Sequence, residues 1–330
     1  MLKKFSSNIG IIIPIIVALF NIFLIANPTE MISAGKDGLL MWFNQVLPTL
    51  LPFVVGANLL AGLGFIHFLG VLAAPVMVPV FKVPGAGAFA LLSGLTSGYP
   101  MGAKAVAHLR KTRQIRQEEA QRLLAFCNNA GPLFVIGFVG VGLFGSARLG
   151  YFLLVSHIAA ALGVGLLLRF FSPASVEMVT DAGFRRAFKA FRDFRREHYL
   201  GFGQVLGVSV KNAMESMVLI GGFIIVFCVV IRAMEISGVF YYTGGYSGVL
   251  AGLLEVANGA KMIARGQEPN IHALAAAAAV ISFGGLSVHG QTAHFIQGTD
   301  IRFTPYLAAK ALQAFLAAVI CSLLLLNYGV

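Results

Sequence analysis

SGLTSGYPMGAK, residues 93–104, decides how this chain is laid out. It lies in the middle of segment 85–108, which is otherwise apolar and long enough to enter a bilayer. Glycine, serine and proline at that density disfavour an unbroken helix, because proline removes a helical donor and glycine costs backbone entropy. Arg110, Lys111, Arg113, Arg116 and Arg122 follow directly. Basic loops stay on the cytoplasmic side of a membrane, so a full crossing by 85–108 would strand these charges outside. The conflict resolves if the segment is a re-entrant helical hairpin that enters and leaves on the cytoplasmic side, turning at Ser97-Gly98-Tyr99-Pro100. Backbone polar groups at such a turn are tolerated only against protein or a water-lined cavity.

Composition agrees with a membrane setting. Hydrophobic residues make up 58% of the 330 positions, charged residues 11%, and mean hydropathy is +0.85. Soluble domains carry about a quarter of their residues as charges, so a soluble enzyme is excluded. Ile9–Ala26, Gly150–Phe171, the apolar run around Ser216–Ile231 and Leu307–Leu326 are of bilayer-spanning length. The first follows Lys3-Lys4 and ends in Asn27-Pro28 without a small-x-small cleavage site, so it reads as a retained helix. Cys127, Cys228 and Cys321 are scattered in apolar surroundings without metal or disulfide spacing. The net charge of +11 is accounted for by basic cytoplasmic loops rather than by nucleic acid.

With Lys3-Lys4, 110–122 and 185–196 all inside, the path of the chain follows. Helix 9–26 goes out, 39–62 returns, and the proline-punctuated stretch 65–81 lies in the interface. After the hairpin, 118–145 crosses outward and is broken by CNNAGP at 127–132, and 149–171 crosses back. FRRAFKAFRDFRRE, 184–197, sets Phe184, Phe188, Phe191 and Phe194 on one helical face. Arg185, Arg186, Lys189, Arg192, Arg195 and Arg196 take the rest, the pattern of a helix lying on an anionic leaflet.

The second half then repeats the first. GAKAVA at 102–107 returns as GAKMIA at 259–264, AGPLFVIG at 130–137 is echoed by GGLSVHG at 284–290, and Tyr151 by Tyr306, in the same order and at a nearly constant offset. Helix 204–231, hairpin 239–265 turning at VANG (256–259), broken span 270–297 and helix 304–328 make up the second copy. Three crossings per copy invert the second relative to the first. The expected fold is all-α: a polytopic membrane protein with two inverted repeats, each with a re-entrant helical hairpin and a discontinuous transmembrane helix. Its parts are an N-terminal helix (1–30), a first repeat (38–172), a basic interfacial segment (173–202) and a second repeat (203–330). Such architecture belongs to secondary transporters, with the site at the midplane where the breaks meet.

Ionisable groups at bilayer depth face the protein interior, and the candidates are Lys104, Lys211, Glu215, Glu255, Lys261 and Lys310. Lys211 and Glu215 are spaced i, i+4 and suited to pair with each other. Glu255 is the candidate for a coupling cation or proton, a salt bridge to Lys104 or Lys261 being the alternative. Lys104 and Lys261 hold equivalent positions, and with half-helix N-termini they would attract an anion. Ser97, Tyr99, Asn128, Asn129, Asn258, Ser287, His289 and Gln291 supply donors and acceptors at the turns and breaks, for a ligand or for the interrupted backbone. No HExxH, Walker or nucleophile-elbow pattern occurs. No catalysis, metal or cofactor is expected.

The stretches SGLTSGYPMGAK, EEAQRLLAFCNNAGPLFVIGFVGVGLFG, LLEVANGAK and FGGLSVHGQ resemble the bacterial sporulation integral membrane protein YlbJ family, within the nucleoside-recognition (Gate) superfamily. The resemblance covers most of the chain from Trp42 on. It implies a multi-pass bacterial inner-membrane protein with two Gate-type repeats, and a role in spore cortex formation. One departure is Ala257, where the family pattern is richer in threonine. The expected function is a permease for a small polar or anionic solute, the nucleoside class being the default. The alternative is a non-transporting scaffold for envelope or spore-cortex assembly. Assembly of several copies is compatible with either, and the N-terminus is expected in the cytoplasm.

Overall fold

The computed structural model describes residues 2–171, 183–198, 200–265 and 269–328, with side chains from Ile12 onward. The described residues are helical nearly throughout and contain no strand. Helix α1 (Leu2–Ala26) is followed, after Asn27 alone, by α2 (Pro28–Met41). A π-turn at Trp42–Val46 joins α2 to α3 (Leu47–Gly62), making one long rod. Then come α4 (Phe65–Phe81), α5 (Gly87–Ser97), α6 (Met101–Lys111) and α7 (Gln117–Cys127). A π-helix (Leu133–Leu143), α8 (Ala147–Leu168) and α9 (Phe184–Glu197) follow. The remainder is α10 (Phe202–Ile236), a 3-10 turn (Val239–Tyr246), α11 (Ser247–Leu254), α12 (Val256–Ala264), α13 (Ile271–Phe283), α14 (Gly285–Ile296) and α15 (Phe303–Tyr328).

Among the described residues, five helical stretches are long and apolar enough to cross a membrane: Pro28–Gly62, Ala147–Phe171, Phe202–Ile236, Ile271–Ile296 and Phe303–Tyr328. The first begins well before residue 39, where hydropathy alone places it. Pro28 occupies the first helical turn, where no backbone donor is needed. The polar residues that follow are absorbed by α10: Arg232 Nε donates to Glu30 Oε2 at 2.9 Å. Gly38 lies so close that a Cβ there would come within 2.9 Å of Ile225 Cα.

Both halves contain the expected parts in order: a long helix, a helical hairpin, an interrupted helix and a closing helix. Packing between the halves is reciprocal. The α2–α3 rod lies along α10, and the closing helices α8 and α15 lie together. The first half's α7 packs on α15 while the second half's α13 packs on α8. Likewise α6 packs on α14 while α12 packs on the π-helix. Each half thus completes the other's core, and buried apolar clusters draw on both.

The second hairpin departs from its expected form. Residues 239–246 are a separate 3-10 turn with Tyr241, Tyr242 and Tyr246 exposed, and the legs α11 and α12 are short. The chain reverses at Glu255, and VANG is the first turn of α12 rather than the bend. The reason is capping: a carboxylate at the N-cap lets the helix start at once.

Helix α9 exposes Arg185, Lys189, Arg192 and Arg196, while Arg195 is half-buried and the aromatic face is partly used inside the protein. Phe194 stacks on His67 of α4 with ring centroids 4.4 Å apart, and Phe184 and Phe188 meet Phe68 edge-on. Phe184 and Phe188 still leave much of their surface open. The boundary drawn at 172–173 lies outside the described residues.

Candidate functional site

The four interruptions meet at one cavity of about 470 Å³. Ser97, Gly98 and Tyr99 come to it from the first hairpin turn and Gly131 from the first break. Glu255, Val256 and Ala257 come from the second hairpin turn, and Ser287, Val288 and Gln291 from the helix after the second break. The first turns of the π-helix, α12 and α14 therefore all border the cavity, and the residues leading into α6 do too. Helix N-termini carry partial positive charge, so the backbone contributes positive potential here although, among the described residues, no lysine or arginine lines the space. The remaining wall comes from the α2–α3 rod (Asn44, Gln45, Thr49, Phe53), the π-helix (Phe134, Phe138) and α10 (Ile220, Ile224).

Each interruption is built differently. Gly98 has φ +83° and ψ 178°, a region open to glycine, and a Cβ there would lie 2.7 Å from Gly131 N. The first hairpin turn thus rests directly on the first break. Between α13 and α14 two successive glycines, Gly284 (φ +92°) and Gly285 (φ +74°), turn the chain.

Glu255 is the one carboxylate at the cavity, and it is buried. Its oxygens accept from Ala257 N (3.1 Å), Asn258 N (2.8 Å) and Asn258 Nδ2 (2.9 Å). The salt bridge to Lys104 or Lys261 does not form; the N-terminus of α12 satisfies the carboxylate instead. Asn258 also donates to Cys228 Sγ at 3.1 Å, tying α12 to α10.

Beside the cavity, behind the first break, lies a buried polar network. Lys310 Nζ donates to Asn128 O (2.8 Å) and Gln313 Oε1 (2.5 Å). It thereby caps the carbonyl end of α7, a cation at a helix C-terminus. Gln313 Nε2 donates to Asn129 Oδ1 (3.0 Å), and Asn129 Nδ2 to Phe126 O (2.7 Å). The backbone N–H of Ala130 donates to His157 Nε2 (2.9 Å), so the His157 proton sits on Nδ1 and is given to Ser282 Oγ (2.8 Å). Asn128 Nδ2 donates to Thr292 Oγ1 and Tyr306 OH, both at 2.9 Å, and His289 Nδ1 lies 3.2 Å from Tyr306 OH. Asn128 Oδ1, His289 Nε2 and Tyr99 OH are buried with no hydrogen-bond partner among the described residues.

Of the residues expected at the site, Ser97, Tyr99, Glu255, Ser287 and Gln291 line the cavity. Asn128, Asn129 and His289 stand behind it in the network, repairing the interrupted backbone and bridging the halves. Lys104 and Lys261 do not converge. Lys104 Nζ reaches Ser216 Oγ (2.8 Å) and Asn212 O (3.2 Å), whereas α12 docks at Cys228. Those points are about 18 Å apart along α10 at the helical rise. Lys261 itself is exposed. Lys211 and Glu215 are both exposed and make no ion pair. Tyr306 is buried but its counterpart Tyr151 is exposed.

Sequence reasoning missed Asn44, Gln45, Thr49 and Thr96 in the cavity wall, and His157, Ser282, Thr292 and Gln313 in the network. The polar pair Lys310 and Gln313, one turn apart in an apolar final helix, was the available signal for the network.

Ion pairs between the halves lie toward both ends of the molecule, away from the cavity. At one, Arg232 holds Glu30 of α2 and, within α10 itself, Glu235. At the other, Arg110 donates to both Asp300 oxygens (2.8 and 2.7 Å), and these hydrogen bonds hold the Asp300 carboxyl below its usual range. Gln117 Nε2 to Asp300 O (2.6 Å) and Gln121 with Arg302 fasten the same loop.

A nucleoside-recognition (Gate) family model matches residues 43–180. The chain is 34% identical to the sporulation integral membrane protein YlbJ of Bacillus subtilis (strain 168) over 344 aligned positions. That alignment covers 96% of this chain and 84% of the relative. No solved structure matches. With its apolar spans and its likeness to a relative over nearly its whole length, the chain is an integral membrane protein that belongs to the YlbJ sporulation membrane protein family and carries a Gate nucleoside-recognition domain.

Proposed function

We propose that this protein is a permease for a small polar or anionic solute, built from two inverted repeats with re-entrant hairpins. It sits in a bacterial cytoplasmic membrane with its N-terminus inside. One observation carries the reading: a cavity of about 470 Å³ is bordered by all four chain interruptions and by the starts of several half-helices. Discontinuous helices that present N-termini to a central cavity are how transporters hold solutes with anionic groups. The reciprocal packing of the halves supports a repeat architecture able to rock about that cavity. Glu255 neutralises one of the helix starts and is the candidate for a coupling proton or cation. No catalytic role is assigned. The relative's printed name supports a part in sporulation.

The test is a thermal-shift screen of the purified protein with nucleosides, nucleotides, sugars, organic anions and cations, followed by proteoliposome uptake of any hit. A binding solute should lose its stabilising effect in Gln291→Leu or Ser287→Val, and uptake should fail in Glu255→Gln at unchanged membrane abundance. Stabilisation that ignores these substitutions would remove the cavity as the site.

A second reading is favoured by the outward basic face of α9, where Arg185, Lys189, Arg192 and Arg196 are exposed. A scaffold would use that face for docking. Neutralising it would then impair sporulation of the host more than any cavity substitution does.

A further inference from the structure

A second cleft, of about 650 Å³, lies between α4, the start of α5, the turn joining α6 to α7, and α9. Its chemistry is opposite to that of the central cavity. Arg110, Arg113, Arg116 and Arg186 line it together with His67, Arg110 being already paired with Asp300, and among the described residues Glu119 is the single carboxylate. That carboxylate is already engaged, accepting from the Arg116 backbone N–H at 2.7 Å. The floor is rigid: a Cβ on Gly85 would fall 1.9 Å from Gly70 O.

Arg113 is the informative residue. The N–H of Gln114 bonds Leu109 O at 2.9 Å, closing α6 with a Schellman-type turn, and Arg113 occupies the left-handed position with φ +58°. Glycine is the favoured residue there, and a side chain with a Cβ is strained in that conformation. A strained arginine, held at the rim of a cleft with three other arginines, is a structural expense that stability does not explain.

We propose that this cleft binds the phosphate of an anionic phospholipid headgroup. Guanidinium forks pair with phosphate oxygens in parallel, which distinguishes such a site from a diffuse positive surface. A lipid is favoured over a free anion by the walls. Helix α4 is apolar along its length, and α9 carries the exposed Phe184 and Phe188 beside its arginines, so the cleft opens where a bilayer surface would meet the protein. The proposal does not depend on whether the central cavity carries a solute.

The experiment is the melting temperature of the full-length protein in neutral detergent, titrated with phosphatidylglycerol or cardiolipin, with phosphatidylcholine, and with inorganic phosphate. The anionic lipids should give a saturable upward shift that phosphatidylcholine and inorganic phosphate do not. Arg113→Gln with Arg116→Gln should weaken that response roughly tenfold or more, since each removes charge-assisted hydrogen bonds. Arg185→Gln with Arg192→Gln removes the same charge from the outer face of α9 and should weaken the response far less, since it lowers the general attraction to anionic lipid but leaves the cleft intact. Arg113→Gly guards against misfolding: it should raise the lipid-free melting temperature while weakening the lipid response. Equal loss in both double variants would mean diffuse attraction and overturn the proposal. So would a response to inorganic phosphate alone, which would make the ligand a soluble anion, and so would no response to any lipid.

Discussion

The two hairpins reverse the chain by different means. At the first, the turn is made by backbone: Gly98 takes a conformation closed to other residues and its Cα sits against Gly131. At the second, it is made by a side chain: Glu255 is extended, φ −145° and ψ +121°, and its carboxylate supplies the bonds that start α12. The breaks differ in the same way. The second needs only Gly284 and Gly285, whereas the first is repaired by Lys310, Gln313 and His157 reaching in from the closing helices. Corresponding places in the two halves therefore share an interruption but not the chemistry that tolerates it.

That contrast can be broken by substitution. Gly98→Ala has the largest expected effect, a loss on the order of 3 kcal/mol from strain and from contact with Gly131. It should appear as a steep fall in detergent melting temperature and monodispersity, and normal behaviour would show that the first turn is not backbone-limited. Lys310→Met comes next, about 2 kcal/mol, because Asn128 O and Gln313 Oε1 lose their donor in a dry interior. Melting of Lys310→Met, Gln313→Leu and the double variant checks this: the double variant should lose less than the sum of the two single losses, because the Lys310–Gln313 bond is counted in both.

Glu255→Ala should cost about 1 kcal/mol, the worth of an N-cap. Glu255→Asp or Glu255→Gln should recover some of it by keeping an acceptor oxygen, a graded behaviour that no substitution at Gly98 should show. The smallest effect belongs to Asp300. Because Arg110 holds its carboxyl below the usual range, the ion pair contributes at neutral pH and is lost as pH falls through that depressed value. Protection factors of the 298–302 loop, which take out the intrinsic pH dependence of amide exchange, should therefore fall on acidification, and Asp300→Asn should leave them low at every pH.

Much of the fold is legible in the sequence because membrane constraints are simple. Apolar length gives most of the spans, and Gly-rich interruptions mark where helices stop, as between α5 and α6. Side-chain-built features are harder to read. VANG looks like a bend by composition, yet the preceding carboxylate makes it the first turn of a helix. Asn128 and Asn129 look like ligand groups, yet their partners Tyr306 and Gln313 lie far along the chain, where only the tertiary fold brings them close. The π-winding of Leu133–Leu143 gave no signal in a stretch apolar on every side.

The caps have an electrical consequence. Among the described residues, the buried side chains of charged type are Glu119, Arg122, Glu255 and Lys310, two of each sign. At formal charge these four cancel. Moving one elementary charge through 100 mV is worth about 2.3 kcal/mol, and displacing the four together through the same part of the field does no net work. Under the transport reading, and where the four groups move together, the net charge carried across the bilayer would be that of the cargo and its coupling ion.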